Sequence, residues 1–335
     1  MGDSIPWDCT QDVLASSGSL IILAIVSQLF SETFHVLGLG LKTSDGLYGN
    51  TSAIVSELFP LDVAMDRWAQ YTWILVQAWN AAWLLHSAFT VLRSPLCYNL
   101  EIHPPAFFFM WVVINAARIG GMFLWAKQDL LGTLFFKLMV PFQSFFMLYM
   151  SYCNLYRHRA WLAINNPKEV WCIRYLTQNG LAMFAWWTLL ETLVCLGVVL
   201  KHKAGLQDPM ASSVVLSLLL LGMLLWFAIQ KVLSKYIRYT FTVYPVLVLG
   251  LGAMFTRGYH VHNIAPNTVY CGVLMLIATV LNSVLLIAAC FYTDEASDSS
   301  DTHPHPPPDG CKTVCQQVGA NSKKFAIANP VYCQN

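Results

Sequence analysis

Charge is what this chain has least of. Only 11% of its 335 residues are Asp, Glu, Lys or Arg, less than half the roughly 25% of an ordinary soluble domain. Basic and acidic residues nearly cancel, 19 against 18, so nothing marks a nucleic-acid surface or an acidic partner. Catalytic signatures are also missing. There is no His-Glu-x-x-His, no Gly-x-Ser-x-Gly and no phosphate-cradling glycine loop. An enzyme is not expected, and no metal or cofactor is called for. Lys231 and Lys235 lie at the ends of apolar stretches, which argues against a retinal Schiff base. The ten cysteines form no disulfide framework. Cys153, Cys195, Cys271 and Cys290 fall inside apolar stretches, where they read as small buried side chains. Asp3, Asp8 and Asp12, with no Lys or Arg among them, do not make the basic start of a cleavable signal. Pro6 stands where a myristoylation signal wants Ser or Thr.

Long hydrophobic runs are what is there. Hydrophobic residues make up 56% of the chain, and the mean hydropathy is +0.53. The runs are Gly18–Leu41, Trp68–Leu92, Pro104–Ala126, Thr133–Tyr156, Cys172–Leu200, Ala211–Gln230, Tyr236–Phe255 and Val269–Tyr292. Each is close to or above the roughly 20 apolar residues that cross a bilayer. Backbone groups inside lipid must pair within their own segment, so the runs are helices. The expected fold is all-α: a polytopic membrane helical bundle of about eight transmembrane helices over residues 18–292, with the lipid bilayer as its main partner. A short tail, 1–17, precedes it, and 293–335 comes after it.

With a cytosolic N-terminus, the inner loops hold Arg93, Arg157, Arg159, Lys168, Arg174, Lys231, Lys235 and Arg238. The outer loops hold Lys42, Arg67, Lys127, Lys201, Lys203 and Arg257, with Lys137 near an outer helix end. This slight bias favours cytosolic termini. The same orientation puts the sequon Asn50-Thr51-Ser52 outside, which makes Asn50 a candidate glycosylation site. Beyond Thr293 the composition turns acidic, serine-rich and proline-rich, too polar to build a core. Asn329, Pro330 and Tyr332 then spell Asn-Pro-x-Tyr, which resembles the sorting signal of endocytosed receptors. Asn and Pro favour a tight turn, and Phe325-Ala326-Ile327 suits strand addition to a phosphotyrosine-binding-type adaptor. If that signal is read, the protein belongs to the plasma membrane or an endosomal membrane. The plainer reading is a chance tetrapeptide.

Ionisable residues within the runs are functional candidates by default. They are Glu32 and His35, His86, Arg118 and Glu191. At about 1.5 Å per residue, Glu32, Arg118 and Glu191 reach similar depth in the outer half. Arg118 is expected to pair with one or both carboxylates. Either this is a structural ion pair that sets helix register, or it leaves a carboxylate free to titrate.

In the second run, Trp68, Trp79, Trp83 and His86 share an arc of roughly 60° at 100° per residue. Trp73, Gln77 and Asn80 form a second face. The spacing of Trp68, Trp73, Trp79, Asn80 and Trp83 resembles the tryptophan-rich signature of the translocator protein / tryptophan-rich sensory protein family, in its longer animal relatives. Asn115, Trp187, Asn179-Gly180-Leu181-Ala182-Met183 and Arg238-Tyr239-Thr240-Phe241-Thr242-Val243-Tyr244-Pro245 add to it. Asn80 stands for the family's Gln, Arg118 for a Trp and Cys195 for an Asn. The resemblance implies an aromatic cavity for a hydrophobic ligand, a tetrapyrrole or a sterol. Its lining would be Trp68, Trp73, Trp79, Asn80, Trp83, Asn115 and Trp187.

Three readings therefore stand side by side: a ligand-binding or sensing membrane protein; a secondary transporter or channel using Glu32, Arg118 and Glu191; and a trafficked scaffold read through its tail. The second is weakened because no inverted repeat and no pair of Gly/Pro-broken helices is visible. Lone Pro141 and Pro245 read as helix kinks. Ligand quenching, proton-coupled flux and surface uptake separate the three.

Overall fold

In the computed structural model the described residues are 7–38, 52–93, 102–259 and 265–291. Asn50, Asn329, Pro330 and Tyr332 lie outside them. Each apolar run contains most of one helix: α1 (Trp7–Gly38), α2 (Gln70–Arg93), α3 (Pro105–Ala126), α4 (Leu130–Asn165), α5 (Asn179–His202), α6 (Asp208–Val232), α7 (Val243–Gly258) and α8 (Pro266–Phe291). Short helical pieces at Ser52–Leu58, Arg67–Ala69, Pro167–Cys172, Ile173–Gln178 and Ser234–Ile237 join or extend them. No strand occurs among the described residues. The fold is an all-α polytopic bundle.

Among the described residues, 6 helical segments are long and apolar enough to cross a membrane: those containing α1, α3, α4, α5, α6 and α8. The remaining two expected spans differ for separate reasons. α2 has 24 residues, but Gln77, Asn80 and His86 interrupt its apolar sequence. α7 has only 16 residues, about 24 Å of helix against a hydrocarbon core of about 30 Å. The run Tyr236–Phe255 is not one helix. It breaks after Ile237 and resumes at Val243.

Helix ends follow local chemistry. Pro104 and Pro105 open α3, where a missing N–H costs no helical bond. The Asp129 carboxylate caps α4 by accepting from the Gly132 N–H at 3.1 Å. Gln128, with φ of 61°, makes the left-handed turn that stops α3 just before it. Pro141 sits inside α4, which runs through it. Pro245 lies in the first turn of α7 rather than at a kink, in a position where no intrahelical N–H is required.

α5 is the centre of the bundle. It packs on α2, α4, α6 and α7, and 72% of the apolar window in its segment is buried, against 17% for α8. α8 thus presents most of its surface outward, as a lipid-facing helix does. α1 lies on α2 and α3, and α3 on α4; α8 covers α6 and α7. Small residues allow close approach. A Cβ added to Gly180 would lie 2.9 Å from Cδ1 of Trp79, so α5 meets α2 there only because no side chain intervenes.

The break before α7 is partly buried, with Thr240 and Thr242 inside and Phe241 exposed. Asn179 holds it. The N–H groups of Phe241 and Thr242 donate to Asn179 Oδ1 at 3.0 and 3.2 Å, and Asn179 Nδ2 donates to the carbonyl of Tyr239 at 2.9 Å. The same amide reaches the carbonyl of Arg174 at 2.8 Å, inside the π-helical turn Ile173–Gln178 that leads into α5. One side chain therefore repairs two departures from regular helix.

Candidate functional site

Five helices contribute a polar side chain to one end of the bundle, where α1, α3 and α5 finish and α2 and α4 begin. Arg118 of α3 donates from Nη1 to Glu32 Oε1 of α1 at 2.9 Å and more weakly to Asn115 Oδ1 at 3.4 Å. Its guanidinium carbon lies 4.7 Å from the Trp73 ring centroid and 5.6 Å from that of Phe184, within cation–π range. Trp73 of α2 turns its indole N–H to Glu191 Oε1 of α5 at 2.6 Å. The other oxygen of Glu191 faces Lys137 Nζ of α4 at 3.6 Å. The His35 ring packs on Trp73 with centroids 5.5 Å apart, and its Nε2 is buried without a hydrogen-bond partner among the described residues.

These groups surround a cavity of ≈ 210 Å³. Arg118, Lys137, Glu191, His35 and Trp73 line it together with Trp125, Met122, Phe136, Cys195 and Arg257. Ser52, Ser56, Phe59, Ala64 and Met65 complete the wall. The strap 59–66 is fastened on both sides. Lys201 Nζ donates to the Pro60 carbonyl at 2.5 Å, and the Asp62 N–H donates to Asp208 at 3.1 Å. The Asp66 N–H bonds the Ala253 carbonyl at 3.0 Å, and Arg257 bonds the Met65 carbonyl at 3.2 Å.

Of the seven residues expected to line an aromatic cavity, Trp73 lines this one. Trp83 and Asn80 are fully buried and bonded to each other at 2.9 Å, with Trp83 edge-on to Trp111 at 5.2 Å. Asn115 is buried beside them and donates to the Trp111 carbonyl at 3.1 Å. Trp187 lies behind Trp73, ring centroids 6.4 Å apart. Trp79 bonds the Tyr175 carbonyl at 3.0 Å and Trp68 bonds Thr256 at 2.9 Å, each away from the cavity. Trp68, Trp79 and Trp83 lie at different heights along the second run, and each meets a different neighbour.

Arg118 pairs with one of the two carboxylates expected for it. Arg118 takes Glu32, whereas Glu191 takes Trp73 and Lys137. Lys137 lies near the start of α4. α4 begins at Leu130, which sets Lys137 about 10 Å along it. A signal for the polar cluster exists on α1, where Gln28, Glu32 and His35 recur at helical spacing and form one polar stripe. Gln28 itself bridges Gln77 and Trp111 at 2.8 and 2.9 Å.

No protein-family model, known protein or solved structure matches this chain. The translocator resemblance rests on the residues quoted for it.

At the opposite end, His86 of α2 faces Glu169 at 3.6 Å. His103, just before α3, packs on Phe107 with centroids 4.8 Å apart, and burial pushes its imidazole down to about 3. Among the described residues no group of three His, Cys, Asp or Glu is placed to hold a metal ion.

Proposed function

We propose that this membrane protein binds a hydrophobic or amphipathic small molecule in the cavity at the Glu191 end of its bundle, as a sensor or carrier of translocator type. One observation carries the reading: aromatic and charged side chains from six helices converge on a single cavity inside an otherwise apolar bundle. Ionisable groups inside a membrane domain are costly and point to functional sites by default. A binding pocket typically joins an apolar lining to a few convergent polar groups.

Size narrows the ligand. The cavity's ≈ 210 Å³ lies below the roughly 300–1,000 Å³ of sites that enclose drug-sized molecules. A whole tetrapyrrole or sterol would have to extend past the strap 59–66, whereas a smaller molecule fits inside. With cytosolic termini, the orientation proposed from the loop charges, this end of the bundle faces outward.

The test is intrinsic fluorescence of the purified protein, titrated with tetrapyrroles, sterols and small aromatic acids. Saturable quenching is expected, about tenfold weaker in Trp73→Phe, which loses the indole N–H bond to the Glu191 charge. Trp83→Phe should bind as the parent does. Equal affinity in the parent and Trp73→Phe would remove the cavity from the reading.

A further inference from the structure

We propose that the cavity recognises a carboxylate, and that Glu191 engages Lys137, one of the ligand's cationic partners, until the ligand arrives. This deepens the ligand-site reading and rests on it. Three cationic side chains line the cavity, Arg118, Lys137 and Arg257, against one carboxylate, Glu191. Glu32 is not part of the lining; it holds Arg118 from the α1 side. The lining itself thus carries more positive than negative side chains, with Arg118 offset by Glu32 from behind, and it is rich in unused donors.

Lys137 makes no hydrogen bond among the described residues. Its ammonium faces Glu191 at 3.6 Å, beyond the 2.7–3.2 Å of a formed N–H···O bond. Arg118 uses only Nη1, on Glu32 and Asn115, and has five N–H donors to give. A guanidinium and an ammonium facing one cavity are a fitting pair for a planar, two-oxygen acceptor.

Glu191 shows what such an acceptor does here. Its carboxylate lies between the Trp73 N–H and Lys137, one oxygen toward each. The Trp73 bond is short at 2.6 Å, whereas the Lys137 contact is loose. A second carboxylate entering beside Arg118 would draw Lys137 away and leave Glu191 on Trp73. Met122, Trp125, Phe136 and Val140 supply the apolar remainder of the wall, so the ligand is a small carboxylic acid with an apolar, preferably aromatic, body.

The experiment uses three probes with one body and different heads: 3-phenylpropanoate, its methyl ester and 3-phenylpropylamine. Each is titrated by calorimetry at neutral pH into the full chain in lipid nanodiscs. The acid should bind at least about tenfold tighter than the ester, the scale of one charge-assisted hydrogen bond. Lys137→Gln should weaken the acid by about the same factor and leave the ester unchanged, and Lys137→Arg should restore the acid. Glu191→Gln should tighten the acid, because the internal competitor is gone; a purely structural Glu191 would weaken it or leave it unchanged. An ester as tight as the acid overturns the carboxylate inference and leaves the ligand site standing. An amine that binds tightest overturns it in favour of a cation site at Glu191. No saturable binding of any probe overturns both this inference and the ligand-site reading.

Discussion

Trp73 and Trp83 look alike in the sequence, and the structure gives them different partners. Trp83 has its N–H satisfied by Asn80 and its ring enclosed by Trp111 and Phe107, so it belongs to the packed core. Trp73 spends its N–H on a charged carboxylate and its ring face on a guanidinium. Which tryptophan meets a charge depends on the facing helix, and α2 alone does not carry that information. His103 gives a second prediction at this scale. Its Nε2 is buried without a partner among the described residues, and burial lowers its pKa from 6.5 to about 3. Between those values the unfolded chain binds a proton that the folded one refuses. The stabilisation is therefore complete above pH 6.5 and is lost as pH falls toward 3. Thermal unfolding in detergent should show a midpoint that drops through this window, with a shallower drop in His103→Phe.

At the scale of elements, the informative feature is the joint between the π-turn Ile173–Gln178, the start of α5 and the break before α7. Asn179 is bonded to both irregular segments, and the Thr242 hydroxyl returns a bond to the Asn179 carbonyl at 2.9 Å. Asn179→Ala would leave the Phe241 and Thr242 N–H groups unpaired in a partly buried place, at about 1–3 kcal/mol for each. Its unfolding midpoint should fall well below that of Thr279→Ala, whose hydroxyl bonds only its own helix on an exposed face. Equal midpoints would mean that the break is held by other contacts. The sequence hid this joint. Arg238-Tyr239-Thr240-Phe241-Thr242 contains no Gly or Pro to mark the break. The interruption exists because α5 presents an amide that satisfies the freed backbone, which is a tertiary fact.

For the whole molecule, topology is the property to test. Six segments carry the length and hydropathy of membrane spans, and α2 and α7 complete a bundle around α5. The cytosolic orientation of both termini is a proposal drawn from loop charge. It predicts that Asn50 is glycosylated when the chain is expressed in secretory-competent cells. Treatment with an amidase that removes N-glycans should shift the parent on a gel and leave Asn50→Gln unmoved. An unshifted parent would count against an outer position for that loop.

Composition and run length by themselves determined the class of fold, because lipid accepts only self-satisfied helices and about 20 apolar residues are needed to cross it. Depth arithmetic also brought Glu32 and Arg118 to one level, where they meet at 2.9 Å. The cavity's membership was decided only in three dimensions. Lys137, Trp125 and Arg257 come from separate segments, and their rotation about each helix axis is set by neighbours rather than by local sequence. The same holds for the partner of Glu191. A carboxylate within a membrane helix announces that it needs a partner, but the packing of α2 and α4 against α5 chose Trp73 and Lys137.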